Sequence, residues 1–466
     1  MMKLQKGIVW VYTAVFAFVA AGGVLTGMYA LSGNVVEAHN SVATHITFRT
    51  IQRFGNCACR DPCDPWDIDV CLQASKPATA MSLLLISHNL EVQGAPLYLL
   101  NLARILQHMG YIVAVASSEH GALYTAYANA GIEVNICSDT ACFINLMRQN
   151  TVSVVNTLFL TPVIWAAAQH AHPLKVIWVI HESDRLTYQD AFPEIASHDV
   201  FELPQYVVFV SCETAQLYMD VNTGNFRVIH GFVNPELERW GRQFAAAANH
   251  TAMHQHAKWG HQKKRSMLRA RLGASKDSIV ITVVGTICYR KAQFPFVKAI
   301  HHVFNTRPAL KQRVLVLLIG DDDPPSIESQ LIRKYIRQHH LTKNVLFVNS
   351  HMTANEMLHA ADIHWSNSLS ESFPLNILEA MVLGVPVVSS QVHGLNELTN
   401  TESASTTTYP PGNSGALIDT MLTVLNDTHR PELRRMAEAA YQHVHAHFTS
   451  QHAVTRWHAI LSSMQT

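Results

Sequence analysis

Residues 367–388 read Asn-Ser-Leu-Ser-Glu-Ser-Phe-Pro-Leu-Asn-Ile-Leu-Glu-Ala-Met-Val-Leu-Gly-Val-Pro-Val-Val. The run carries its own punctuation. Ser372, or the residue after it, can cap a helix, and Pro374 suits a first helical position because its missing N–H would have gone unpaired. Leu375, Leu378, Met381 and Val382 recur at helical spacing, Gly384 can end the helix, and Pro386 forbids its continuation. An apolar strand, Val385–Val388, follows. Glu371 and Glu379 bracket the helix start. Free N–H groups and the positive end of the helix dipole gather near Phe373, Pro374 and Leu375, where an anion is favoured. Glu379 lies about 7 Å further along the axis, so one ligand can meet the helix end with phosphates and Glu379 with hydroxyls. The same residues also fit a capped core helix between two solvated acids.

Working outward, short Val, Ile and Leu runs alternate with helical segments on the N-terminal side of this stretch. Leu83–Ile86, Ile112–Ala116, Val176–Ile180, Val207–Val210 and Val228–Ile229 form one series. Ile279–Val284, Val314–Ile319, Val345–Val348, Ile363–Trp365 and Val385–Val388 form a second. Such alternation reads as α/β, parallel sheets wrapped by helices. Residues 240–265, rich in Ala, His, Gln and Lys, separate the series. Two doubly wound domains are expected, 81–262 and 263–430, facing across a cleft, with C-terminal helices at 431–466 that offer Trp457 and Leu461 for docking.

The chain has 466 residues, room for two or three domains, with 48% apolar and 15% charged residues and zero net charge. Bulk electrostatics therefore give no reason to expect nucleic acid. The front is apolar: no charge falls between Lys6 and Glu37, and Ile8–Leu31 is long enough to cross a bilayer, with Trp10, Tyr12 and Tyr29 near its ends. Lys3 and Lys6 precede it, so the expectation is a single-pass type II membrane protein. Residues 1–31 would be tail and signal-anchor, and the body would lie in the lumen of the Golgi or ER. A cleaved signal peptide ending near Ala20–Gly22, giving a secreted form, is the alternative. Residues 32–80 read as a stem holding Cys57, Cys59, Cys63 and Cys71, which suit disulfides in an oxidising lumen, with the pairing left open. The triplets Asn249-His-Thr and Asn426-Asp-Thr are compatible with a glycoprotein.

In open parallel sheets ligands bind where strands end, so the strand-exit loops carry the chemistry. After the first strand, Gly94 permits close backbone approach at a helix start, or simply a turn. His181 ends the Val176–Ile180 strand, a position from which an imidazole can donate or accept at a reacting centre, although the chain has 28 histidines. Gly285 leads to Arg290-Lys291, adjacent cations suited to a diphosphate or to a solvated basic turn. Asp321–Asp323 is more simply a proline-bounded acidic turn than a metal site. The histidines at 250–261 and at His443, His445 and His447 lack the mixed ligands of a catalytic metal site. No metal is expected.

Together these pieces resemble the retaining glycosyltransferases of GT-B fold, of the family-4 (glycosyl transferase group 1) type. Glu371 and Glu379 fit that family's E-x7-E motif. Arg269-Ala-Arg-Leu-Gly273, Gly285 with Arg290-Lys291, Ile319-Gly320-Asp321 and Ala361-Asp362-Ile363 occur in its order. The resemblance implies transfer of a sugar from a nucleotide-diphosphate sugar to an acceptor hydroxyl of a glycan, glycoprotein or lipid, with retention and without a metal cofactor. Glu379 would hold ribose hydroxyls, Arg290 and Lys291 the diphosphate, and the backbone N–H groups of the segment running from Phe373 through Pro374 to Leu375 phosphate and sugar. Glu371 would line the transferred sugar, and Gly94 and His181 would close from the first domain. Three positions depart from the pattern: Ala292 and Asn349 replace glycines, and Gln93-Gly94-Ala95 replaces a paired glycine. The alternatives are a nucleotide-sugar epimerase or phosphorylase on the same fold, or a non-catalytic sugar-binding module.

Overall fold

The computed structural model describes residues 81–466 apart from 171, 197, 247–262, 322–324, 350–353, 400–404 and 465–466. The proposed anchor Ile8–Leu31, the stem with its four cysteines, Asn249, the 250–261 histidines, Asp322 and Asp323 lie outside the described residues.

Strands β1 (Ser82–Ser87), β2 (Ile112–Ser117), β3 (Glu133–Ile136), β4 (Val152–Asn156), β5 (Val176–Ile180), β6 (Tyr206–Phe209) and β7 (Phe226–Val228) form a parallel sheet in the order β3-β2-β1-β4-β5-β6-β7. Strands β8 (Ile279–Val284), β9 (Val314–Asp321), β10 (Val345–Asn349), β11 (Ile363–Ser366), β12 (Val387–Ser390) and β13 (Thr407–Tyr409) form a second, in the order β10-β9-β8-β11-β12-β13. Every residue of β4 and β5 is buried, as are five of the six in β8, because helices cover both faces. Each buried Val, Ile or Leu side chain contributes about 1.5–3 kcal/mol. This is the two-domain α/β architecture expected from the alternation.

Strand order reverses between β1 and β4 and again between β8 and β11. At these switch points the helices of neighbouring strands diverge to opposite faces and open a crevice at the strand ends. That single topological fact brings the β8 exit beside the β11 exit, although 75 residues separate Ala292 from Asn367, whose side-chain amide donates to the Ala292 carbonyl at 2.8 Å.

Three strands escape the apolar-run criterion. In β4 the buried Ser153 and Asn156 interrupt the run, and β3 and β13 are short edge strands with polar residues. The helix of the 367–388 stretch spans Leu375–Val382, with Pro374 as its N-cap and no side-chain cap, so Pro374 is not the first helical residue. The Ser372 carbonyl instead accepts from Ser211 Oγ at 2.8 Å. Gly384 ends this helix at φ +66°, Val385 N–H donates to the Ala380 carbonyl, and the strand starts only at Val387.

Arg269 and Asp362 serve the fold. Arg269 is buried, pairs with Asp362 at 2.7 Å and donates to the Ser275 and Ser278 carbonyls, at the end of the sheet away from the strand exits. The helix Arg430–His447 packs on Leu375–Val382, and the last helix, Ser450–Ser463, crosses back to the first sheet. There Trp457 and Leu461 are fully buried, and Trp457 Nε1 donates to Tyr98 Oη at 3.2 Å. Cys137 and Cys142 form a disulfide across the turn between β3 and the next helix. Among the described residues no helix is long and apolar enough to cross a membrane.

Candidate active site

The β8 exit is shaped by close approaches. Gly285 adopts φ +142°, and a Cβ there would come within 3.3 Å of Lys291 Cε. Gly320, at φ +124°, lies against Gly285 so closely that a Cβ would fall 2.4 Å from its carbonyl oxygen. The loop then makes a short turn over Tyr289–Lys291 and enters the helix Gln293–Thr306 through Ala292, at φ 49° and ψ 39°. An alanine held in left-handed backbone costs about 1–2 kcal/mol. The departure from glycine at this position is therefore physical, and the loop keeps its turn at that cost.

The β11 exit closes over this loop. Leu369 N–H donates to the Arg290 carbonyl at 2.8 Å, and Tyr409 Oη donates to Asn367 Oδ1 at 2.7 Å. Glu371 then sits, buried, between the two cations. One carboxylate oxygen accepts from Arg290 Nη1 at 3.1 Å, and the other accepts from Lys291 Nζ and from Ser368 Oγ at 2.6 Å. Burial pushes this carboxyl up, but the Lys291 and Arg290 charges and the hydrogen bonds outweigh it and hold the group at about 2. Glu371 is thus a fixed anion. It orients both cations and leaves the three-residue group with one net positive charge. Lys291 is mostly buried and Arg290 about half exposed.

Glu379 has a different environment. No described residue hydrogen-bonds its carboxylate, and burial alone pushes it up to about 7. Beneath the cluster, β11 contributes His364, fully buried between Thr282 Oγ1 at 3.2 Å and Asn376 Nδ2 at 3.3 Å. Burial, then the Lys291 charge, lowers its imidazole to about 3, so it stays neutral under the cations. Phe373 packs between His230 and Phe448, and a Cβ at Gly231 would come 2.3 Å from its ring.

On the facing sheet, His181 Nε2 meets Asn156 Oδ1 at 2.8 Å, and Asn156 Nδ2 donates to the Ala95 carbonyl at 3.1 Å. This chain of bonds joins His181 to the helix opened by Gly94, where an added Cβ would meet no atom within 4 Å. Burial and neighbouring His88 lower His181 to about 3, and burial lowers His88 to about 4, so both imidazoles are neutral. Glu182 is buried, accepts from the backbone of Leu158 and His181, and is pushed up to about 7 by that burial against those donors. Thr157, at φ 87° and ψ 160°, occupies backbone that is essentially glycine territory, strain of a kind that clusters at functional sites.

The structure thus brings Gly285, Arg290, Lys291 and Glu371 into one cluster and joins Gly94 to His181 in another. The described link between them is Ser183 Oγ to Ser370 Oγ at 3.0 Å. Ser368, His364, Glu182 and Thr157 belong to these clusters and were not singled out from the sequence. Strand-exit position would have marked Ser368, but β4 does not announce itself as a strand, so nothing local marks Thr157, nor His364.

A further polar group fastens the two sheets. Glu397 accepts from the backbone N–H of Cys212 and Glu213 at 2.9 and 2.6 Å and from His230 Nε2 at 2.7 Å, while Arg456 donates to His230 Nδ1 at 2.8 Å. Cys212, His230 and Glu397 are close enough to share a metal ion. The Arg456 donor and the two backbone donors already account for the histidine and carboxylate as an inter-domain clasp.

Two family models match the chain, "Glycosyl-transferase family 4" over residues 79–227 and "Glycosyl transferases group 1" over 264–443, each covering one sheet. The D-inositol 3-phosphate glycosyltransferase of Rhodococcus erythropolis is 31% identical over 133 residues, 28% of this chain and 30% of that protein. The N-acetyl-alpha-D-glucosaminyl L-malate synthase of Bacillus anthracis is 30% identical over 148 residues, 31% of this chain and 36% of that protein. The matches therefore span about a third of these relatives. In solved structures the Anabaena protein Alr3699/HepE, in complex with UDP and glucose, superposes with a TM-score of 0.69 at 18% identity, covering 82% of this chain and all of that one. Sucrose-phosphate synthase from Thermosynechococcus elongatus gives 0.62 at 18% identity over 82% of this chain and 99% of that one. Both likenesses establish the fold. Both of these sequence relatives are bacterial enzymes, and no described helix can cross a membrane. The expected placement as a type II protein of the Golgi or ER is corrected accordingly and not retained. The chain belongs to the group 1, family-4 glycosyltransferases of GT-B fold.

Proposed function

We propose that the chain transfers a sugar from a nucleoside-diphosphate sugar to an acceptor hydroxyl with retention at the anomeric carbon. The observation that carries this reading is the Arg290–Glu371–Lys291 cluster at the β8 and β11 exits. The acceptor oxygen bonds to the anomeric carbon, the bond from that carbon to the diphosphate breaks, and the acceptor proton leaves on the released diphosphate. The main electrostatic task is then to stabilise the departing diphosphate, which Lys291 and Arg290 perform in a partly dry site without a metal cofactor. The start of the Leu375–Val382 helix, with Phe373 before it, offers further N–H donors, while Pro374 has no N–H and contributes only its place at the helix entry. Glu379, without a hydrogen-bond partner among the described residues, accepts from the ribose hydroxyls. Glu371 with both oxygens engaged is a poor nucleophile, which favours attack by the acceptor itself over a covalent glycosyl-enzyme.

The name of one relative, an Escherichia coli galactosyltransferase, includes UDP-Gal, so UDP sugars head the donors to be tried. Each of the UDP, GDP and ADP sugars is incubated with EDTA, with and without an acceptor mixture of glycans and glycolipids, and nucleotide release and product are followed. Acceptor-dependent release with EDTA present is expected. Turnover of the donor to another sugar nucleotide without acceptor would point to an epimerase, and binding without turnover to a sugar-binding module.

A further inference from the structure

The exits of the N-terminal sheet carry aromatic rings that donor chemistry leaves unused. Phe159 follows β4, and Tyr188 and Phe192 follow β5. Phe159 meets Tyr188 with ring centroids 5.4 Å apart and planes at 83°, and Phe192 at 6.1 Å and 86°. It also stacks on His88, 5.2 Å away. All four rings remain half-buried. Elsewhere in the same domain Trp178, Phe201, Phe209 and Tyr218 pack into a cluster with no exposure at all. The core therefore has no need of the half-covered rings, which keep apolar surface open at the ligand end of the sheet.

Tyr188 ties these rings to the donor side. Burial and then the Glu182 carboxyl raise its phenol pKa, while the Arg290 charge lowers it, which puts the ring within electrostatic reach of the cation that pairs with Glu371. No described residue hydrogen-bonds the Tyr188 hydroxyl. The uncompensated positive charge nearby is that of the Arg290–Glu371–Lys291 group, which the donor diphosphate takes in the reading above, while His88 and His181 are held neutral and Arg185 pairs with Asp220. Once a donor diphosphate is bound, a phosphorylated acceptor ring would find no further counter-charge among the described residues around these rings. A sugar ring, apolar on its axial C–H face and hydroxylated at its rim, matches both the rings and the unpartnered phenol.

We propose that Phe159, Tyr188 and Phe192 form the acceptor platform, on which an uncharged sugar or cyclitol ring stacks and presents a hydroxyl across the cleft to the donor. This rests on the donor reading above and adds the class of acceptor.

The test uses the full chain, the sugar nucleotide selected by the donor panel, and two sets of probes. Methyl glucoside, methyl mannoside and inositol are compared with glucose phosphate and inositol phosphate. At least one neutral ring is expected to accept sugar more efficiently than its phosphorylated counterpart. Tyr188→Leu and Phe159→Leu should each raise the KM of that probe about tenfold, with donor KM and melting temperature held. Acceptance of phosphorylated rings alone, acceptance of none, or an unmoved acceptor KM in both variants overturns the platform. Failure of the unmodified protein to bind any sugar nucleotide would instead sink the donor reading.

Discussion

At the exits of β8 and β11 the C-terminal sheet gathers Arg290, Lys291 and Glu371, whereas at the exits of β1, β4 and β5 the N-terminal sheet gathers His88, Thr157, Phe159 and His181. The topologies are nearly the same and both crevices lie at a switch point. The chemistry differs. One crevice holds fixed charge on short, stitched loops, and the other holds neutral imidazoles, aromatic rings and a strained backbone. A doubly wound sheet decides where a ligand sits, and the residues on its exit loops decide which part of the ligand that is. Here the charged crevice suits the diphosphate and the neutral one suits the sugar.

The largest effect should follow from removing the best-buried cation. Lys291→Ala is expected to lower kcat/KM by about a hundredfold to a thousandfold, the scale of losing one preorganised donor to developing charge. A loss below tenfold in steady-state kinetics would erase the contrast between the crevices. Next comes stability. Glu371→Gln leaves two cations without their anion and should cost about 3 kcal/mol in a urea melt. The pH dependence follows from the sign of the shift. The folded carboxyl sits at about 2, below its ordinary 4.5, so its contribution is present above 4.5 and is lost as the pH falls towards 2. The acid limb of the stability curve should therefore be shallower in the variant.

Glu379 should behave oppositely. Its folded value of about 7 lies above 4.5, so its carboxylate disfavours the folded state increasingly as pH rises from 4.5 to 7, and in the proposed donor site the ionised form is the stronger acceptor for ribose hydroxyls. Affinity for the nucleoside diphosphate should fall up to about tenfold per pH unit below 7. Comparison with Glu379→Gln cancels protonation of the ligand itself, and equal slopes in the two proteins would remove Glu379 from the donor site. The smallest effect is at Ala292. Ala292→Gly relieves the left-handed strain but adds freedom to the unfolded chain, for a net gain of about 0.5 kcal/mol. A lower melting temperature would show that the loop uses the methyl group, which is buried.

Much of this arrangement was legible in the sequence, for identifiable reasons. The central strands of the second sheet announce themselves because parallel strands buried on both faces must be largely apolar, and the edge strand β10 shows as an apolar run although it is only partly buried. Glu371, Arg290 and Lys291 stand out because they follow such runs, and Glu379 because of its place along the helix that Glu371 precedes. β4 did not, since its Ser153 and Asn156 are polar yet buried, and Asn156 is there to hold His181. The pairing of Glu371 with both cations depends on β8 lying beside β11, a fact of strand order that no local pattern contains. His364 was invisible for the same reason: it lies under Lys291 only because β11 neighbours β8. The Glu397 clasp joins residues nearly two hundred positions apart and has no local signature at all.

The central claim is that the charged crevice holds a nucleoside diphosphate, and calorimetric titration tests it most directly. UDP, GDP and ADP are titrated into the wild-type protein and into Lys291→Ala at a fixed ionic strength. One of the three should bind the wild type with clear preference, and its affinity should drop about tenfold or more in the variant. Absence of binding by all three, or an affinity that Lys291→Ala leaves unchanged, would contradict the account.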